Sequence, residues 1–199
     1  HGTYILTSSY YRRAYGLTTD KTGISGLKPP FLVVSGHSCW LDYMIAFISM
    51  YPYRMNYVAA YNFLRNRILN RLLCLMGAIS KYQFKNDLKA VKKMKQVIDR
   101  GGIVTIYPYG CLSNDGRPGG FAAFGIAKLI KFLKVPVVAL QTNGGYLTRP
   151  RWTKQARRGV IQTKVFQVLS RDEVSTLSEE EIYSRIIESI YFDDYRWQR

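Results

Sequence analysis

Two apolar runs, Phe-Leu-Val-Val at 31–34 and Val-Pro-Val-Val-Ala-Leu at 135–140, constrain the fold of this chain most strongly. Strict alternation of apolar and polar residues would mark a strand with one wet face. Near-continuous runs bounded by Pro, Gly or Asn mark strands buried on both faces, as in a parallel sheet covered by helices. Further short runs at 55–60 and 103–107 and near 160–169 read the same way, and the first strand is taken as 31–36. Helical stretches at 40–50, 62–76, 87–100 and 121–133 lie between them, with a final helix after Ser178. In the 87–100 stretch Leu88, Val91, Met94 and Ile98 form one apolar stripe, Asn86 is placed to cap the start, and Gly101-Gly102 ends it. Ser178 and Glu181 have capping-box spacing, and Ile182, Ile186, Ile187 and Ile190 share a side. Alternation of this kind predicts an α/β class chain: a single layered domain over 1–199 with a largely parallel central sheet flanked by helices. No repeat, low-complexity tract or linker divides it.

Within that frame one histidine stands out. His37 is the only imidazole other than His1 at the first position, and it sits in Ser-Gly-His-Ser-Cys-Trp-Leu-Asp at 35–42, directly after the first strand. Neutral imidazole takes protons near pH 7, and a carboxylate on its far nitrogen fixes the tautomer and stabilises the imidazolium. Five positions on a regular helix turn through about 500°, so His37 and Asp42 cannot share a helix face. For the two to pair, His37 must lie in the strand-to-helix turn and Asp42 in or near the first helical turn. The alternative is a turn histidine beside an unrelated acidic residue at a helix start.

A second constellation follows the strand Ile-Val-Thr-Ile-Tyr-Pro-Tyr-Gly at 103–110, which runs into a glycine-rich loop to Gly120. Sites in α/β sheets lie at the carboxyl ends of strands, so His37 and Tyr109-Gly110 are expected to converge. Backbone N–H groups of the loop could hold an oxyanion or phosphate, and Arg117 is its one fixed cation; a plain surface turn is the alternative. Neither a Walker A pattern nor Gly-x-Gly-x-x-Gly opening a helix is present, which disfavours nucleotide binding.

Lys and Arg number 29 against 13 Asp and Glu, a formal net charge of +16. Such a field draws phosphates, whether on nucleic acid, an anionic bilayer or an acidic carrier. No helix-turn-helix, zinc-finger, RRM or KH signature supports nucleic acid. Cys39, Cys74 and Cys111 are odd in number and lack CxxC spacing, which fits a reducing compartment rather than a disulfide or zinc framework. No plausible metal-ligand set is visible. Uncharged apolar runs fall short of the roughly 18–20 residues that span a bilayer. The start does not read as a signal peptide, and an anchor upstream of His1 stays open. Stretch 62–76 is broadly apolar with only Arg65, Arg67 and Arg71 as charges, which reads either as a segment lying on an anionic membrane or as ordinary core with solvated arginines. Lys85, Lys89, Lys92, Lys93 and Lys95 add a basic face whose plain reading is a solvated helix surface.

Taken in order, His-x4-Asp after the first strand, Tyr-Pro-x-Gly after a later one and Val-Pro-Val-Val-Ala-Leu further on resemble the glycerolipid acyltransferases. These are the lysophosphatidic acid and glycerol-3-phosphate acyltransferases, and the likeness runs from about Phe31 to Trp152. The resemblance implies transfer of a fatty acyl group from an acyl thioester, on coenzyme A or acyl carrier protein, to a hydroxyl of a lysophospholipid-like acceptor. Such an enzyme needs no other cofactor and no metal. It implies that His37 is the base and Asp42 its support, with direct attack and no covalent acyl-enzyme. Cys39 as a thiol nucleophile is the lesser alternative, since cysteine is usually a small buried hydrophobe. The partners so implied are an anionic membrane surface, the lipid acceptor and the acyl carrier, with no nucleic acid. The placement so implied is peripheral, on the cytoplasmic side of a membrane, with residues 1–30 as the membrane-proximal segment.

One departure matters. The family's second motif usually reads Phe- or Tyr-Pro-Glu-Gly with an arginine shortly after. Here Tyr109 holds the Glu position, and Cys111-Leu112 stand where the arginine is common. Family Glu and Arg are associated with the phosphorylated acceptor, so three readings follow: an altered acceptor, a replaced residue at 109, or a weakened or inactive lipid- or carrier-binding homologue. Tyr109, Gly110 and Ser113 are candidate substrate-binding residues. Arg117, Arg149 and Arg151, or the pair Arg157-Arg158, are candidates for the missing positive charge.

Overall fold

The structure is a computed structural model. It describes all residues except 1, 63–69, 72, 75–76, 84, 114–124, 149–151, 154 and 191–199, and for Thr3 the backbone only. Its elements in chain order are α1 (Gly2–Tyr15), β1 (Thr18–Gly23), β2 (Phe31–Ser35), α2 (Asp42–Met50), β3 (Met55–Ala60), β4 (Ile79–Lys81), α3 (Leu88–Asp99), β5 (Ile103–Ile106), α4 (Gly125–Leu133), β6 (Val137–Asn143), α5 (Gly145–Thr148), β7 (Gln162–Leu169), α6 (Arg171–Thr176) and α7 (Glu179–Ile190).

Seven strands form one sheet in the order β1-β7-β6-β2-β5-β3-β4. All neighbours pair parallel except β6 with β7. β2 is central, and every one of its residues is buried. Its alternate side chains supply two separate cores. Leu32 and Val34 join Val104, Ile106, Val137 and Ala139 beneath α3, α4 and α7. Phe31 and Val33 join Ile103, Val138 and Leu140 beneath Ala46 and Met50 of α2. This two-sided burial is what the continuous apolar runs require.

The largely parallel, helix-flanked α/β sheet expected from the sequence is present. Two details of α3 differ. Asp87, not Asn86, caps the helix, its carboxylate accepting the Ala90 N–H at 3.0 Å. The buried stripe is Ala90, Met94 and Ile98, with Leu88 exposed and Val91 half-buried. Leu88, as the first residue after the cap, projects clear of the sheet. Lys85, Lys89, Lys92 and Lys93 are exposed, as a solvated helix face demands. Gly101, with φ +75°, ends the helix by donating to the Ile98 carbonyl, a backbone region that a Cβ disfavours. Most of stretch 62–76, with Arg65 and Arg67, lies outside the described residues.

Residues 1–30 are not merely a leading segment, since β1 is a strand of the sheet, parallel to β7. α1 packs through Tyr4, Tyr11 and Tyr15 on Leu41, Ile45, Ile48 and Ile161. At the other end, both final helices open with a capping box. Ser170 and Glu173 exchange backbone bonds of 2.8 and 3.2 Å, as do Ser178 and Glu181.

The Ser170 N–H, and next the Arg185 guanidinium, hold the Glu173 carboxyl down at about 2. The folded protein therefore binds that proton less readily than the unfolded chain. Glu173 thus adds stability above its unfolded value near 4.5, and the gain disappears as pH falls toward about 2. Thermal melts of wild type and Glu173→Gln are expected to differ at pH 6 and to draw together below about pH 4. A gap that stays constant with pH would contradict this role.

Candidate active site

Parallel pairing of β2 with β5 aligns Val34 with Ile106, and pairing with β6 aligns Ser35 with Leu140. The turn at 36–41 and the loop from Tyr107 therefore leave the sheet side by side, at its carboxyl edge. Ser113 N–H donates to the His37 carbonyl at 2.8 Å and ties the two together. α5 backs onto the same turn. A Cβ built on Gly145 would stand 3.0 Å from Ser38 Oγ and 3.2 Å from Cys39 Sγ, so glycine permits this approach.

Asp42 is the first residue of α2, and His37 lies in the strand-to-helix turn. Their side chains meet, with Nδ1 of His37 2.7 Å from Oδ2 of Asp42. The same Oδ2 accepts the backbone N–H groups of Ser38 at 2.6 Å and Cys39 at 2.9 Å. Oδ1 accepts the Cys39 thiol at 3.2 Å and, more weakly, the Ser38 hydroxyl at 3.4 Å. A buried carboxylate held by several donors at a helix N-terminus has compensation for its lost hydration. Its side chain is 2% exposed, while that of His37 is 14% exposed. The pair therefore has one fixed member and one member reachable from solvent.

The floor under the imidazole is aromatic. The Tyr107 ring lies 4.6 Å from that of His37 at 31°, and Tyr43 closes the side at 5.8 Å and 81°. Tyr43 in turn packs on Tyr57 and Tyr107 at 5.5 and 5.2 Å. Burial first, and the Asp42 charge second, push the Tyr43 phenol up to about 12. Tyr57 and Tyr107 are also raised, chiefly by burial, and among the described residues their buried hydroxyls have no hydrogen-bond partner. All three phenols are neutral at physiological pH. They make a low-dielectric wall against which the charge pairing of His37 and Asp42 is strengthened.

Cys39 is fully buried, and burial pushes its thiol up. A nucleophile must be thiolate and accessible, and Cys39 is neither. Its place is as a donor to Asp42.

The second constellation is brought to the site in part. Tyr109 and Ser113 are buried beside the turn's strand end, and Gly110 adopts φ +65°. Burial, and next the neighbouring Tyr183 of α7, raise the Tyr109 phenol. The Gly110 N–H donates to the Tyr107 carbonyl, and the Ser113 N–H to that of His37. Those two amides are thus committed to folding the loop. The glycine-rich remainder, with Arg117, and likewise Arg149 and Arg151, lie outside the described residues. Arg157 and Arg158 are described and exposed.

Sequence reasoning missed Tyr107, Tyr43 and Ser38 as parts of the site. Tyr107 had a signal, since it is the first residue past β5 and the strand beside β2 must deliver something to His37. Nothing local to Tyr43 betrays its role.

A buried carboxylate holds a partly exposed imidazole at the carboxyl edge of a mostly parallel sheet, an arrangement chemically able to take up a proton. The chain belongs to the Acyltransferase family, which it matches over residues 13–142. In architecture it is similar to the crystal structure of the 1-acyl-sn-glycerophosphate (LPA) acyltransferase PlsC from Thermotoga maritima, with a TM-score of 0.73 at 17% identity. That likeness covers 94% of this chain and 76% of the other. No protein of curated function matches it in sequence. Among the described residues no helix is long and apolar enough to cross a membrane.

Proposed function

We propose that this acyltransferase moves a fatty acyl group from a thioester of coenzyme A or acyl carrier protein to a hydroxyl of a lysophospholipid-like acceptor. The observation that carries the reading is the 2.7 Å contact between His37 Nδ1 and Asp42 Oδ2. Asp42 engages Nδ1, which makes Nε2 the atom that takes the proton. As Nε2 removes the acceptor's hydroxyl proton, the oxygen attacks the thioester carbonyl. Collapse of the tetrahedral intermediate breaks the C–S bond, and the imidazolium returns the proton to the leaving thiolate. The charge that appears on His37 is met by Asp42 and faces the Tyr107 ring. Burial of Cys39 supports direct attack without an acyl-enzyme. The similarity in architecture to a 1-acyl-sn-glycerophosphate acyltransferase supports a lipid acceptor. Net positive charge and free cysteines support a peripheral enzyme on the cytoplasmic side of a membrane.

Tyr109 favours a second reading, a homologue that binds lipid or acyl carrier without turnover. A buried phenol cannot offer the charge that a family Glu supplies. Acyl transfer from acyl-coenzyme A to a panel of lysolipids separates the readings, since repeated turnover on any acceptor eliminates the second. Tyr109→Glu is expected to shift preference toward lysophosphatidic acid by roughly 10-fold or more, the scale of one charged contact made or lost. An unchanged preference would remove Tyr109 from acceptor choice.

A further inference from the structure

Outside the catalytic turn, one open groove of about 560 Å³ lies between the last turn of α1 and residues 156–158. Tyr10, Arg13, Ala14 and Tyr15 line one wall, and Ala156, Arg157 and Arg158 the other. Arg13, Arg157 and Arg158 line this space, and among the described residues no carboxylate does. Among the described residues none of the three arginines is in an ion pair.

The walls are fixed by backbone bonds rather than by ligands. Ile161 N–H donates to the Tyr15 carbonyl at 2.9 Å, Thr18 N–H to Ile161 at 3.0 Å, and Arg157 N–H to Thr148 at 2.7 Å. The Arg157 guanidinium lies over the Trp152 ring, 5.5 Å from its centre, which orients it without neutralising it. A groove built this way keeps unneutralised fork-shaped donors together, the geometry that suits a phosphate.

The surroundings specify whose phosphate. On α1, Leu6, Tyr10 and Arg13 are spaced i, i+4, i+7 and form one stripe, opposite the packed stripe of Tyr4, Tyr11 and Tyr15. Leu6 is 75% exposed, Tyr10 59% and Trp152, beneath the Arg157 guanidinium, 62%. Large apolar and aromatic side chains left in water beside cations have the chemistry of the boundary between headgroups and acyl chains. A soluble phosphate compound would use the arginines and leave that apolar rim unexplained.

We propose that the Arg13, Arg157 and Arg158 groove is a headgroup site for an anionic phospholipid of the membrane surface, with Leu6, Tyr10 and Trp152 entering the interface around it. The inference rests on the lipid-modifying reading above, because an enzyme that acts on lipids has to hold the surface that carries them. α1 and the segment before β7 both join the helix-α2 side of the domain through Tyr15 and Ile161, packed with Cys39 and Leu41 of the catalytic turn. Docking at the groove therefore sets that turn in a defined position relative to the bilayer.

The test is vesicle partition, which needs no turnover. Wild type, Arg13→Gln/Arg157→Gln/Arg158→Gln and a control Lys89→Gln/Lys92→Gln/Lys93→Gln are sedimented with phosphatidylcholine vesicles with and without phosphatidic acid. The arginine variant is expected to lose partition on phosphatidic acid vesicles on the order of 100-fold, about fivefold per cation, with little change on phosphatidylcholine alone. The lysine control removes the same charge from the exposed face of α3 and is expected to lose far less. Equal losses in the two variants would reduce the effect to diffuse attraction and overturn the proposal, as would failure of wild type to prefer phosphatidic acid. A soluble-phosphate arm measures coenzyme A binding. Lost coenzyme A affinity with retained vesicle partition would assign the groove to the donor and also overturn it. Single Arg158→Gln, at an exposed position, keeps the test valid if the triple variant folds poorly. Acyl transfer by wild type to a short-chain, monomeric acceptor tests the catalytic reading separately.

Discussion

His37→Ala is expected to lower kcat/KM for acyl transfer by about 10²–10⁴-fold, the range for loss of a positioned general base. The argument is geometric. Among the described residues His37 is the one titratable group that is both held by a buried carboxylate and partly open to solvent. Its neighbours cannot replace it, because burial keeps Tyr43, Tyr107 and Cys39 protonated at neutral pH. The fold is expected to survive, since the imidazole is at the site's open side, and a circular dichroism melt checks this. Steady-state rates with a fixed thioester and lysolipid read the effect. Activity within about threefold of wild type would exclude His37 as the base, a factor far below that lost with a general base.

Asp42 produces the second large effect, and its two substitutions separate orientation from folding. Asp42→Asn keeps the volume and can still accept the Ser38 and Cys39 N–H groups through its carbonyl oxygen. Its amide nitrogen then faces the Ser38 hydroxyl and Cys39 thiol, which can accept. What it loses is the negative charge that stabilises the imidazolium. Turnover is expected to fall about 10²–10⁴-fold with little change in thermal stability, comparable to losing the base itself. Asp42→Ala instead leaves two buried backbone donors unpaired, at about 1–3 kcal/mol each, and should lower the melting temperature as well. Differential scanning calorimetry beside steady-state kinetics resolves the two. Should Asp42→Asn retain full turnover, the carboxylate is structural and not part of the chemistry.

The elements that were legible in the sequence owe their stability to local pattern. β2 and β6 sit in the middle of the sheet, and their residues must be apolar on both faces. α7 carries its capping box and its isoleucines at helical spacing, and all of them act as expected. β1 was not legible, because Thr-Thr-Asp-Lys-Thr-Gly is polar and largely exposed. It is a strand only through its pairing with β7, over 140 positions away, and no local window reports such a partner. β4, with three residues, is defined in the same way by β3. α6 did carry a signal, since Ser170 and Glu173 have capping-box spacing, but its apolar content is too small to show a period.

The site divides similarly. His37 and Asp42 are close in sequence, and pairing them requires His37 in the strand-to-helix turn and Asp42 at the start of the helix. The aromatic floor is assembled from β3, α2 and the end of β5, so Tyr57, Tyr43 and Tyr107 meet only once the strand order is known. Tyr109 was singled out by its motif position. The fold buries it beside Tyr183 of α7.

Product formation by the wild-type chain tests the central claim most directly. With acyl-coenzyme A and a lysophospholipid in excess, mass spectrometry should find the doubly acylated lipid and free thiol accumulating together, many moles per mole of enzyme. The protein's intact mass should stay unchanged. A stable acylated protein, or no product from either donor class with any lysolipid, would contradict a histidine base that delivers the acceptor straight to the thioester.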